Sequence, residues 1–350
     1  MYKKLLLLVA SLALFAGCAT KPPIVMPVAV ETHAVRAGEI RTNDQEAAFD
    51  FVSQLRGAEA VVIIYDASGS MRWPIRQGGE ARYVAAYKAI TDYVKKLQPK
   101  DQVGLIVFGS QAPSGAFDGR VNDMARAQKS CLGDILVKRS LDTFSHTEMQ
   151  TELAPLAKEG SYRGDTPIGG AIQKAVSLLE PVQGRKKRIV LMTDGMEECY
   201  PGVKGAPNPR VEIDRAKELE ITLDIVFSGG GLNAKGEPSA RSEENARSLS
   251  KLASGVFLEA DSYEGILNAL MQIEIAKFSY QLLDLNDKVA ITARIGERVT
   301  VPSGKYLFKG LTAAPFTLPV AVPATRSVRI FLGLTTGDNA TPEILVQAEK

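Results

Sequence analysis

Apolar residues in this chain are arranged in two ways, and the change falls near residue 277. Upstream, short continuous runs alternate with longer stretches at helical spacing. Ala60 to Tyr65 reads Ala-Val-Val-Ile-Ile-Tyr, and a run without polar alternation predicts a strand buried on both faces. Residues 81–97 follow, with Val84, Tyr87, Ile90, Val94 and Leu97 three or four apart, the repeat of an amphipathic helix. Val103 to Phe108 predicts a second strand, Ile189 to Met192 a third and Ile221 to Phe227 a fourth. Helices are predicted at 168–179, 210–219, 241–253 and 262–276, with a short strand at Val256 to Leu258. Residues 110–165 are long and irregular, with helical patches near 121–129 and 148–158. This strand–helix alternation predicts an α/β fold, an open and mostly parallel sheet with helices on both faces.

Downstream the period becomes two. Val289 to Ile295, Glu297 to Val301, Lys305 to Phe308, Phe316 to Val320, Ser327 to Leu332 and Ile344 to Val346 are separated by turns such as Pro302-Ser303-Gly304. Short alternating strands predict a small all-β, sandwich-like domain over 277–350. At the other end, Pro22, Pro23 and Pro27 in a stretch poor in aromatics predict an extended tether to about residue 43. Phe49, Val52 and Leu55 predict a short helix within 44–56. The expected division is a leader at 1–17, tether and helix at 18–57, the α/β domain at 58–276 and the β domain at 277–350.

Composition narrows the function classes. Hydrophobic residues make up 45% and charged residues 23% of the 350 positions, as in ordinary globular proteins. Setting aside Lys3 and Lys4 takes 42 basic residues to 40, equal to the 40 acidic ones. A neutral chain lacks the basic surface that nucleic acid requires, and no Walker or G-x-G-x-x-G pattern suggests a nucleotide. Two histidines, His33 and His146, argue against a zinc site. Lys3 and Lys4 precede an apolar run from Leu5 to Phe15 that is too short to span a bilayer. The run ends in Phe15-Ala16-Gly17-Cys18, which resembles a bacterial lipoprotein signal. That resemblance implies acylation at Cys18 and, with Ala19 next, sorting to the outer membrane; Phe15 departs from the usual Leu. Cys131 and Cys199 remain, and in an oxidising compartment they are expected to pair, with two buried free thiols as the alternative.

The candidate chemistry lies where strands end. Ligands of open α/β sheets bind beyond the carboxyl ends of the strands. Asp66 follows the first strand directly, and Asp194 follows the third by two residues. Thr166 precedes Pro167, which is expected at the first position of a helix. Ser68 and Ser70 alternate with Asp66 in the first loop. Two carboxylates and three hydroxyls from three loops suit a small hard cation, with one position left open for an anionic oxygen.

Asp66-Ala67-Ser68-Gly69-Ser70, Thr166-Pro167 and Thr193-Asp194-Gly195 together resemble the von Willebrand factor type A domain with a complete metal-ion-dependent adhesion site (MIDAS). The resemblance covers about residues 58–276. It implies metal ligation by Asp66, Ser68, Ser70, Thr166 and Asp194. It also implies Mg²⁺, with Mn²⁺ or Ca²⁺ as alternatives, and a protein partner that presents Asp or Glu. Candidates for the surrounding ligand surface are Met71, Arg72, Trp73, Tyr162, Arg163, Glu197, Glu198 and Tyr200. If Cys131 pairs with Cys199, the bridge would pin the irregular insertion beside the metal face. The expected function is a lipid-anchored, non-enzymatic binding module for adhesion, envelope assembly or recruitment. The alternatives are a structural envelope protein with a purely stabilising metal, or a metal-dependent hydrolase for which Glu197 and Glu198 would be the only nearby bases.

Overall fold

The computed structural model describes residues 27–34, 52, 57–117, 120–228, 240–275, 278–311, 315–325, 327–334 and 342–349. The leader at 1–17, the acylation site Cys18 and most of the expected tether and short helix lie outside the described residues. From its first described strand, β1 (Pro27–Ala34), the chain passes to β2 (Glu59–Asp66), helix α1 (Arg82–Val94) and β3 (Gln102–Phe108). The short hairpin β4 (Ala116–Phe117) and β5 (Arg120–Val121), α2 (Met124–Gln128), β6 (Ile135–Thr143) and α3 (His146–Leu153) follow. Then come α4 (Ile168–Leu179), β7 (Lys186–Thr193), α5 (Pro209–Glu218), β8 (Ile221–Phe227), α6 (Ala240–Ser250), β9 (Phe257–Glu259) and α7 (Tyr263–Ile275).

Six strands form one sheet in the order β6-β3-β2-β7-β8-β9. All pairings are parallel except that of β6 on β3. The uninterrupted apolar run of β2 is explained by its central place, where all eight residues are buried. Its side chains alternate between two cores. Val61, Ile63 and Tyr65 join Ala86 and Ile90 of α1 and Ile266 and Leu270 of α7. Ala60, Val62 and Ile64 join Ile168, Ile172 and Val176 of α4. Burying each of the larger aliphatic chains contributes roughly 1.5–3 kcal/mol, so the two-sided pattern fixes both register and helix placement.

The irregular region expected at 110–165 contains a strand. β6 is an antiparallel edge whose buried Ile135 is followed by Lys138, Arg139, Ser140 and Asp142 at half-buried or exposed positions. Its register on β3 shifts between Val103 and Ile106. A charged, half-exposed edge with bulges carries little periodic signal.

The last strands are β10 (Ser279–Leu283), β11 (Val289–Arg294), β12 (Arg298–Pro302), β13 (Gly304–Leu311), β14 (Phe316–Val322), β15 (Ser327–Leu334) and β16 (Pro342–Glu349). They build two sheets, β12-β1-β15-β16 and β11-β10-β13-β14, which share one core containing Val328, Ile330, Tyr280 and Phe308. The tether reading is corrected here. Residues 27–34 are an interior strand, antiparallel to β12 and parallel to β15, with Val28 and Val30 fully buried. Pro27 opens the strand, a position where its missing N–H is tolerated. The α/β domain is therefore inserted between the first and later strands of the sandwich. The same core runs on into the α1 and α7 face of the larger sheet. Among the described residues no helix is long and apolar enough to cross a membrane.

Candidate metal site

β2 and β7 run side by side, with Tyr65 opposite Met192. Their carboxyl ends therefore deliver Asp66 and Asp194 to one place. Asp66 is fully buried; its Oδ1 accepts from the Ser68 N–H at 2.7 Å and its Oδ2 from the Thr193 hydroxyl at 2.5 Å. The Ser70 hydroxyl donates to Asp194 Oδ1 at 2.8 Å and lies 3.2 Å from the Ser68 hydroxyl. Thr166 closes the group: a Cβ built on Gly195 would stand 3.4 Å from Thr166 Oγ1 and 3.9 Å from Ser70 Oγ. All five predicted residues thus come together. Pro167 is the N-cap of α4 and not its first residue, a shift of one position.

Two glycines allow the loops to meet. Gly109, at the end of β3, has φ +72°, and a Cβ there would lie 2.7 Å from the Ser68 nitrogen. A Cβ on Gly164 would come within 2.6 Å of the Gly109 Cα. The Gly69 N–H donates to the Gly164 carbonyl at 3.0 Å, joining the first ligand loop to the Thr166 loop.

The site is largely buried and acidic. Burial, followed by the charge of Asp194, raises the Asp66 carboxyl to about 7. Glu198, whose Oε2 accepts from the Thr166 hydroxyl at 3.2 Å, is pushed up to about 8 by burial and then by Asp165. Among the described residues Arg82 answers this charge: 1% exposed, it places Nη1 2.5 Å from Asp194 Oδ2. Arg82 was not anticipated from the sequence. A signal existed, because an Arg at the first position of a helix opposes the helix dipole and needs a partner elsewhere. Thr193 and Asp165 were also missed. Asp165 is fully buried and accepts from the Ser114 hydroxyl and from the Gly115 N–H at 3.0 Å, so it anchors the loop from below.

The wider candidates separate. Arg72, Arg163 and Tyr200 are exposed around the site. Trp73 is half-buried, with its ring 5.5 Å from the Arg82 guanidinium carbon. Met71 and Tyr162 are corrections, since both are fully buried. The Tyr162 hydroxyl donates to the Leu156 carbonyl at 2.7 Å and lies 2.9 Å from the Tyr65 hydroxyl, so its polar tip is satisfied inside the core. Glu197 is occupied structurally: it accepts from the N–H groups of Gly169, Cys199 and Tyr200 at 2.6, 2.8 and 3.0 Å. Cys131 and Cys199 form a disulfide with Cα atoms 5.7 Å apart. The bridge lies in a small core with Ala127 and Val203 and ties the insertion to the loop carrying Glu197 and Glu198.

Among the described residues no three His, Cys, Asp or Glu side chains are grouped to hold a metal. The donor set is instead two carboxylates and three hydroxyls. All are oxygen, which is the chemistry of Mg²⁺, Mn²⁺ or Ca²⁺, and the surplus of buried acid gives a cation an electrostatic reason to enter.

The profile of the von Willebrand factor type A domain matches residues 60–255. Similar solved structures include BatB from Bacteroides thetaiotaomicron, 22% identical over 63% of this chain and 98% of that one, with a TM-score of 0.43. An aerotolerance-related membrane protein from Bacteroides fragilis is 20% identical over 62% of this chain and 98% of that one, TM-score 0.43. Proximal thread matrix protein 1 from the mussel byssus, in a form with a zinc-occupied MIDAS motif, is 13% identical over 82% of this chain and 65% of that one, TM-score 0.42. Comparison with curated protein sequences gives no match.

Proposed function

This chain belongs to the von Willebrand factor type A domain family, and on that footing we propose that it is a non-enzymatic binding module that captures an acidic side chain of a protein partner through a bound divalent cation. Members of this family typically mediate protein–protein interaction or adhesion. The observation that carries the reading is the convergence of Asp66, Ser68, Ser70, Thr166 and Asp194 at the carboxyl ends of β2 and β7. These five residues would hold the cation. When bound, it supplies an electrophilic position for a partner's carboxylate. Arg82 orients Asp194 and offsets part of the negative charge that would otherwise repel that carboxylate. Arg72, Arg163 and Tyr200 are the exposed groups placed to contact the partner around it.

Binding is favoured over hydrolysis by what surrounds the site. Both Glu197 oxygens are engaged by backbone N–H groups, and Glu198 is held on Thr166. His146, at the start of α3, meets the Phe144 ring edge-on at 4.6 Å between centroids, and His33 lies on β1 of the sandwich. We assign Mg²⁺ as the resident ion, with Mn²⁺ or Ca²⁺ able to replace it. Acylation at Cys18 and a place on the outer membrane complete the proposal.

The test is a pull-down from a solubilised cell-envelope extract with residues 19–350, in Mg²⁺ and in EDTA, comparing wild type with Thr166→Ala. Capture of a protein by wild type in Mg²⁺ alone supports metal-bridged recognition. Capture indifferent to both the metal and the substitution would demote the site to a stabilising role.

A further inference from the structure

A cavity of about 530 Å³ opens at the opposite pole of the sheet, below the amino ends of β2, β7 and β8. Its floor is a buried ion-pair triad. Arg188 places Nη2 3.3 Å from Glu59 Oε2 and Nη1 3.8 Å from Asp224 Oδ2, and all three residues are at least 96% buried. Above this floor stand Lys186 and Lys187 from β7 and Arg294 from β11 of the sandwich. None of these three carries an ion pair among the described residues. Among the described residues that line it, four cations against two carboxylates leave a surplus of two positive charges. The lining also includes Thr222 and Ser254, whose hydroxyl accepts from the Leu223 N–H at 2.9 Å and keeps its own proton to donate, and the apolar Val256 and Ile273.

We propose that this cavity is a second binding site, for a phosphate monoester. The charge surplus matches a phosphate dianion. The donors come from three directions: the β7 end, the Thr222 and Ser254 hydroxyls, and Arg294 across the domain junction. Such a spread suits the tetrahedral oxygens of a phosphate better than a planar carboxylate, which one guanidinium fork can saturate. The volume lies in the range of small-molecule sites and exceeds what phosphate alone would fill, so the Val256 and Ile273 wall has room for the organic part of the ester. Because Arg294 belongs to the sandwich and the lysines to the α/β domain, the ligand would bridge the two. The site is independent of the metal-dependent reading, since it shares no residue with the metal face.

Isothermal titration of the full mature chain with glycerol 3-phosphate tests a soluble source, and co-sedimentation with phosphatidylcholine vesicles containing phosphatidic acid tests a lipid headgroup. Arg294→Gln and Lys186→Gln change exposed residues and should leave folding intact. Saturable binding in either arm, weakened at least tenfold in both variants, is expected, and the responding arm identifies the source. Silence in both arms, or equal binding by wild type and variants, would overturn the assignment.

Discussion

Replacing Arg82 by Met removes the buried cation that pairs with Asp194 and its guanidinium contact with the Trp73 ring, while keeping an unbranched apolar side chain. Arg82 is 1% exposed and its Nη1 lies 2.5 Å from Asp194 Oδ2. Removing one partner of such a pair leaves a buried charge uncompensated and costs about 3–5 kcal/mol. At about 2–4 °C per kcal/mol for a domain of this size, the melting temperature in EDTA should fall on the order of 10 °C. A divalent cation would restore the missing counter-charge without competition from the guanidinium. Its affinity for Arg82→Met should therefore rise at least about tenfold, or 1.4 kcal/mol, and the cation-induced gain in melting temperature should exceed that of wild type. Differential scanning fluorimetry in EDTA and in Mg²⁺, with isothermal titration, reads both effects. An Arg82→Met protein that melts with wild type in EDTA, or that the cation stabilises no more than wild type, would refute this role of Arg82.

Three further outcomes are expected. Asp66 and Glu198 titrate at about 7 and about 8 in the fold, against about 4 in an unfolded chain. The native state thus holds extra protons between those values, and stability in EDTA should fall as pH rises from about 4 through 8. Urea titrations at pH 5.5 and pH 8.5 check the sign, and saturating Mg²⁺ should shrink the difference. The disulfide spans 68 residues, so its removal as Cys131→Ser with Cys199→Ser should cost about 4 kcal/mol in the chain-entropy model, read as a lower urea midpoint; an unchanged midpoint would contradict the bridge. Gly109→Ala combines a left-handed φ of +72° with a 2.7 Å approach to the Ser68 nitrogen. It should destabilise the chain by more than about 1 kcal/mol and weaken cation binding, whereas the same substitution at Gly184, with nothing within 4 Å of its Cβ, should leave cation binding unchanged.

How much was legible in the sequence depended on how local the signal was. β2 and α4 could be read because their burial is written in a single window, as two-sided apolar runs or as a 3.6-residue stripe. Asp66 and Asp194 followed because a residue just past a buried parallel strand must emerge at one end of the sheet. β1 could not be read this way. Its partners are β12 and β15, at the far end of the chain, and the nearby prolines suggest an extended linker until that pairing is seen. β6 was hidden by its charged outer face. Arg82 was hidden by distance, since its partner lies 112 positions away. Tyr162 was a ligand-surface candidate because it flanks the Thr166 loop in sequence; only the fold supplies the Leu156 carbonyl and Tyr65 hydroxyl that satisfy it inside.

The most direct test of the central claim is titration of the purified domain with Mn²⁺, followed by electron paramagnetic resonance, in wild type and in Thr166→Ala. Thr166 is a proposed ligand whose side chain has one hydrogen bond among the described residues, to Glu198, so its truncation disturbs little else. One tightly bound ion per wild-type chain, lost in a Thr166→Ala protein of unchanged melting temperature in EDTA, is the predicted result. Absence of saturable binding in wild type, or equal binding by the two proteins, would contradict the account.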